Sequence, residues 1–149
     1  MDFTAPINAF VAGFPDFILQ LGVALGLFIA SLFIYVMMTP HKELDLIRQG
    51  NPSAALAFGG VVVGLAIPLG SCLTYAFGLW DLLIWGVVTL LLQILAFRFA
   101  DIFLRGLPRK IAEGDVAAAV YLMSIKIGLA LIIAGAIADP NIGILRGGL

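Results

Sequence analysis

The sequence predicts an all-α polytopic membrane protein of four transmembrane helices, arranged as two tandem parallel hairpin repeats. Three observations carry this. Hydrophobic residues make up 62% of the 149 positions and charged residues only 11%, too little polar surface to coat a soluble globule. Four apolar runs reach the ~20 residues that a ~30 Å hydrocarbon layer demands. The cations gather in two of the connecting loops.

The first run is Phe17–Met38, interrupted only by Gln20 and Ser31. The segment before it holds no Lys or Arg from Met1 to Phe14, so the basic start of a secretory signal is missing and the run is expected to persist as an anchor. The second run, Ala54–Phe77, carries Pro68 and several glycines. The third, Leu82–Phe103, contains Gln93, with Arg98 and Asp101 near its end. The fourth, Val116–Ile137, contains Lys126. One membrane domain over 1–149 is expected, with repeat one at about 14–77, repeat two at about 78–138, and short tails outside.

Lys42 and Arg48 lie between runs one and two; Arg105, Arg109 and Lys110 lie between three and four. Loops rich in Lys and Arg stay in the cytoplasm, which puts both termini outside, periplasmic in a bacterium. Tyr75, Trp80 and Trp85 fall at the opposite boundary, where amphipathic rings prefer to sit. A net charge of −1 gives no attraction for nucleic acid. The single Cys72 reads as a small core residue, and one cysteine permits no intrachain disulfide.

A shift of 64 positions lays Ile47, Gly50, Ala54, Ala55, Gly64, Leu65 and Ala66 on identical residues, seven matches between Ile47 and Leu69. Each unit is a two-helix hairpin, so both copies insert the same way and a pseudo-two-fold axis lies along the membrane normal. Gly50 and Gly114 suit the positive φ that ends a helix. Asn51 and Asp115 then cap the next one, with Pro52 at its first position. His41–Gln49 and Leu107–Glu113 read as short interfacial helices, with Leu44, Ile47 and Ile111 toward lipid. A plain solvated loop with a basic flank is the alternative.

The residue Thr39-Pro40-His41 with Glu43 and Leu46-Ile47, then Asn51, Ala54-Ala55-Leu56-Ala57-Phe58 and Gly60, form one block of a recognisable pattern. Gly64, Ile67-Pro68-Leu69, Ser71, Asp81, Trp85-Gly86 and Gln93 complete it. The chain thereby resembles the YjfL-type bacterial inner-membrane family (domain of unknown function 350), from the first span through the fourth. The resemblance implies a bacterial inner-membrane location and supports the duplicated hairpin. It implies no activity, and only by association a partner among peptide-ligase-like or membrane-stress proteins. Lys126, Arg98 and Asp101 lie outside the pattern, so it lends them no role.

Lys126 is the most informative residue. It stands about 10 residues into its span, roughly 15 Å deep at 1.5 Å per residue, near the midplane. A charged lysine there costs at least ~2.5–3.5 kcal/mol, so it must face protein or water, or be neutral. Gln93 lies at a similar depth. Pro68 cannot donate to the carbonyl of Gly64, which leaves that oxygen open. Lys126, Gln93, Gly64 and Pro68 are therefore expected to form one polar cluster, serving conduction or proton transfer, or alternatively packing or subunit contact.

Gly22, Gly26 and Ala30 form one small-residue stripe, Gly60 and Gly64 another, with Ser124 and Gly128 repeating the latter. Such stripes let helices approach closely, either inside the four-helix unit or between copies. Arg98 and Asp101 share a helical face and read as an ion pair, or as a charged ring in an oligomer. His41 beside Glu43 and Asp45 reads as a helix-start residue rather than a metal ligand, and Asp81 as a cap of the third span. With His41, Arg98, Asp101, Arg105, Arg109 and Lys110 the cytoplasmic interface is complete.

No catalytic set, phosphate loop or metal-ligand spacing is present, so no enzyme activity, metal or cofactor is expected. Two function classes remain. One is a homo-oligomeric channel or transporter-like subunit built around the midplane lysine. The other is a non-conducting scaffold or accessory subunit whose basic loops recruit a cytoplasmic protein partner in an envelope or membrane-stress pathway. The lipid bilayer and further copies of the chain are the other expected partners.

Overall fold

The computed structural model describes residues 4–38, 43–75, 78–103 and 106–138, apart from the side chains of residues 6, 96–98 and 100–103. Among these, six helices and no strand occur: α1 (Thr4–Met38), α2 (Glu43–Arg48), α3 (Pro52–Tyr75), α4 (Leu79–Phe103), α5 (Leu107–Ala112) and α6 (Val116–Ile137). By length and composition, Ile7–Met38, Pro52–Tyr75 and Val116–Ile137 can cross a membrane, and Leu79–Leu95 of α4 is a shorter apolar stretch. The protein is an all-helical membrane protein. Its first helix starts well before the Phe17 expected from hydropathy, and it accommodates both Gly13 and Pro15.

The two short helices end alike. In the first turn Asn51 N–H donates to Leu46 O at 3.0 Å and Gly50 N–H to Ile47 O at 2.9 Å, with Gly50 at φ 83°. In the second, Asp115 N–H donates to Lys110 O at 2.9 Å and Gly114 N–H to Ile111 O at 3.1 Å, with Gly114 at φ 89°. These paired bonds around a left-handed residue are the Schellman arrangement, which satisfies the last carbonyls of a helix. The same residue then opens the next helix. Asn51 Oδ1 accepts from Ser53 N (2.9 Å) and Ala54 N (3.1 Å), and Asp115 Oδ1 from Ala118 N (3.1 Å).

The two turns are docked on each other. Asn51 Nδ2 donates to Ile111 O (3.2 Å) and Ala112 O (3.1 Å), capping α5 from outside its own segment. Asp115 is exposed. Beneath the turns, Ala54 and Ala57 of α3 meet Ala118, Ala119 and Leu122 of α6, with Leu107 and Ile111 of α5 filling the side. Alanine at all four seam positions lets two parallel helices come close. The sequence-based orientation of the short helices toward lipid is corrected here: Ile111 is 3% exposed and Ile47 packs partly against this core, while only Leu44 keeps an exposed face. An apolar face suits a protein core as well as lipid.

α3 touches every other helix and is the centre of the bundle. Its middle packs Val61 and Leu65 beside Tyr35 of α1. Its far end places Cys72 with Ala24, Leu82, Ile133 and Ile137. Exposed Tyr75 and Trp80 mark that end, opposite α2 and α5.

Candidate functional site

One group of buried polar side chains, Lys126, Tyr35 and Glu43, meets at the α2 end of the bundle. Lys126 is 1% exposed, and its Nζ donates to the Tyr35 hydroxyl at 2.8 Å. Nζ also lies 4.3 Å from the centroid of the same ring, within cation–π range. The Tyr35 hydroxyl donates to Glu43 Oε1 at 3.2 Å, and Glu43 is itself 5% exposed. The Glu43 carboxylate acts electrostatically on the Lys126 ammonium. Three helices thus deliver an amine, a phenol and a carboxyl group to one buried place.

Helix direction explains the meeting. A helical side chain leans toward its own N-terminus. α6 starts at the α2 end, so Lys126 reaches from mid-helix toward that end. α1 finishes there, so Tyr35, three residues before the last residue of α1, leans inward. The two close the gap between them, and Glu43, the first residue of α2, covers the pair. The lysine carries its charge away from the midplane toward an acidic partner.

A second polar contact lies deeper. Gln93 Nε2 donates to Gly64 O at 2.9 Å, on the carbonyl that Pro68, buried one turn later, leaves without its helical donor. Gly64 and Gln93 are in close contact: a Cβ on Gly64 would lie 3.1 Å from Gln93 Oε1 and press on the amide. Thr89, one turn before Gln93 and 1% exposed, has a hydroxyl oxygen with no hydrogen-bond partner among the described residues. Of the expected cluster, Gln93, Gly64 and Pro68 are together. Lys126 is bonded instead to Tyr35, a residue the sequence reading left out. A tyrosine close to the end of a span looks like an ordinary interfacial aromatic, and its contact with position 126 depends on the bundle.

The glycines expected to serve packing divide. Gly60 is needed, since a Cβ would come within 2.8 Å of Met123 Cα. Gly22, Gly26 and Gly128 meet no neighbouring helix among the described residues, with nothing from one within 4 Å of an added Cβ. Their stripes face outward because α1 lies on the bundle through Ala24, Ser31 and Tyr35 instead. At the basic end, Arg109 is bonded to Glu113 at 2.7 Å and Arg48 pairs with Asp45 at 3.6 Å, all on exposed side chains. Lys110 is half-buried. His41 and Arg105 lie outside the described residues, as do the side chains of Arg98 and Asp101. Asp81 sits within the first turn of α4 rather than ahead of it, where its charge complements the helix dipole.

Residues 9–137 match the family model described as Domain of Unknown Function (DUF350). Over 100 residues the chain is 35% identical to the UPF0719 inner membrane protein YjfL of Escherichia coli K12, covering 67% of this chain and 76% of that protein. Over 118 residues it is 25% identical to the UPF0719 transmembrane protein YshE of Bacillus subtilis 168, covering 77% and 87% respectively. No solved structure matches. With its buried polar groups carried on helices inside the matched span, the chain belongs to the DUF350 family.

Proposed function

We propose that the protein is a transporter-like subunit of a bacterial inner membrane in which Lys126, Tyr35 and Glu43 relay a proton. The observation that carries this is the continuous bonded chain from the lysine to the carboxylate, at 2.8 and 3.2 Å, sealed from solvent. In one step the Lys126 ammonium gives a proton to the Tyr35 oxygen while the Tyr35 hydroxyl gives its own to Glu43. The lysine is left a neutral amine and Glu43 a carboxylic acid, and the reverse step restores both. Buried ionisable groups in membrane helices commonly serve such relays. A charge-balanced pair of this kind also avoids holding a lone charge in lipid.

Four spans, with α4 joining α1, α3 and α6, and a duplicated hairpin inserted in one direction complete the reading. The matching turns at Gly50 and Gly114 support the duplication, and the basic residues near α2 and α5 support a cytoplasmic location for that end. Further copies would associate through the outward stripe of Gly22, Gly26 and Ala30.

The test is proton flux. Purified protein is reconstituted in liposomes holding a pH-sensitive dye, and a potassium diffusion potential is imposed. Wild type should acidify the lumen, and Tyr35→Phe, which keeps the ring but loses the hydroxyl, should slow this about a hundredfold, the low end of what a positioned proton-transfer group contributes. Wild type that moves no protons under any imposed gradient sinks the relay. A scaffold reading has one observation in its favour: Arg48 and Arg109 project 80% and 84% exposed from α2 and α5, open to an acidic cytoplasmic surface. Under that reading, Arg109→Glu releases a co-purifying partner, and the buried triad only pins the helices.

A further inference from the structure

α1 is longer than a membrane is thick. Its 35 residues rise about 52 Å, against a hydrocarbon layer of about 30 Å. The stretch Phe17–Met38 alone rises about 33 Å and is enough to span. About 20 Å of helix, Thr4–Asp16, is therefore left over. Every described side chain from Thr4 to Leu19 is exposed, and the first buried residue is Ala24.

The surplus segment has two faces. At 100° per residue, Ile7, Phe10, Val11, Phe14, Phe17 and Ile18 fall in one arc of about 120°. All are between 44% and 64% exposed. The rings form a ladder, with centroids 5.1 Å apart for Phe10 and Phe14 and 6.4 Å for Phe14 and Phe17. Asn8, Ala12 and Asp16 occupy the other side. Pro15 sits inside the helix between Phe14 and Phe17, where the surplus segment meets the span. It has no N–H to offer Val11 O, so a bend there breaks no bond that the proline had not already removed.

We propose that Thr4–Phe14 is an amphipathic anchor that bends at Pro15 and lies along the lipid headgroup layer, at the end of the bundle opposite α2 and α5. Continuing straight would hold two phenylalanine rings, Phe10 and Phe14, in water. Sliding inward would carry Asn8 and Asp16 into hydrocarbon. Lying flat puts the aromatic arc at the acyl boundary and the polar face in the headgroups, continuous with the lipid-facing surface of the span below. Thr4–Phe14 contains no Lys or Arg, so the anchor holds by apolar burial and not by attraction of its own side chains to anionic lipid.

Nitroxide labels on single introduced cysteines in the full chain test this, using Ile7→Cys, Phe10→Cys and Phe14→Cys on one face and Asn8→Cys, Ala12→Cys and Asp16→Cys on the other. Cys72 is 1% exposed and stays native, with unmutated protein as the labelling control. In proteoliposomes, dissolved oxygen should collide more than a nickel chelate with the first three labels, and the reverse should hold for the second three. The pattern should be the same in neutral and anionic vesicles. Chelate dominating at all six positions would mean a helix in water, and oxygen dominating at all six a helix that spans; each overturns the proposal. Spin–spin broadening at Phe10→Cys that disappears on dilution with unlabelled protein overturns it in favour of a second copy. Pro15→Ala should shift the Phe10→Cys label toward chelate access, and an unchanged label excludes the bend.

Discussion

Replacing Lys126 with methionine keeps a long unbranched side chain in the core and deletes its charge. Three effects compete. The variant loses a charge-assisted bond to Tyr35 of about 1.5–3 kcal/mol and a desolvated cation–π contact of about 2 kcal/mol. It is relieved of a buried ammonium, which costs about 2.5–3.5 kcal/mol in a membrane. Those nearly cancel, so the deciding quantity is Glu43, 5% exposed and deprived of its counter-charge. Removing one partner of a buried pair costs about 3–5 kcal/mol, and that is the expected loss for Lys126→Met. Glu43→Gln should be destabilising for the mirror reason. The double variant has no buried charge and should stand within about 1 kcal/mol of wild type, a coupling of at least ~2 kcal/mol. The assay is reversible unfolding in mixed micelles by increasing dodecyl sulfate fraction, followed by circular dichroism. Effects that add within ~0.5 kcal/mol, or a Lys126→Met protein as stable as wild type, would refute Glu43 as the counter-charge.

The docked turns make a sharp comparison. Asn51→Asp keeps the acceptor that caps α3 but turns a carboxylate on the carbonyls of Ile111 and Ala112, so a loss of about 2–3 kcal/mol should appear in the same unfolding curve, while Asp115→Asn should change it by less than ~0.5 kcal/mol. Gly60→Ala forces a methyl group to within 2.8 Å of Met123 Cα and should lower the melting temperature by an amount equivalent to about 1–3 kcal/mol, whereas Gly128→Ala should be neutral or slightly stabilising; equal effects would contradict the α3–α6 contact. Gln93→Leu strands the Gly64 carbonyl and should cost about 1–2 kcal/mol, with faster hydrogen exchange in α3 around Pro68 as the local signature.

Much of the scaffold is legible in the residues because it is local. Glycine followed by Asn or Asp dictates a left-handed turn and a cap wherever the rest of the chain lies, and the turns at Gly50 and Gly114 follow. Pro68 frees a carbonyl one turn back by its own covalent structure, and Gln93 at similar depth is a natural donor for it. What depends on distant packing is hidden. Ile47 and Ile111 look lipid-facing because hydropathy does not distinguish a methyl group in lipid from one against alanine. Gly22, Gly26 and Gly128 show the right spacing for contact, but spacing says nothing about which face of α1 or α6 meets α3. Tyr35 is not legible as a site residue, because only the crossing of α1 and α6 turns an interfacial aromatic into the link between Lys126 and Glu43.

The bond between Tyr35 and Lys126 joins positions 91 residues apart, and this fixes an order of events during synthesis. At about 5–20 residues per second, Tyr35 is added to the chain about 5–18 s before Lys126. Through that interval Glu43 lacks the Lys126 ammonium, and a carboxylate is more stable in the headgroup layer than in an unfinished core. α2 should therefore wait at the surface and be drawn in only when α6 arrives. A nascent chain halted before Lys126 would leave Glu43 open to a water-soluble carboxyl reagent, and release of a longer chain would close it.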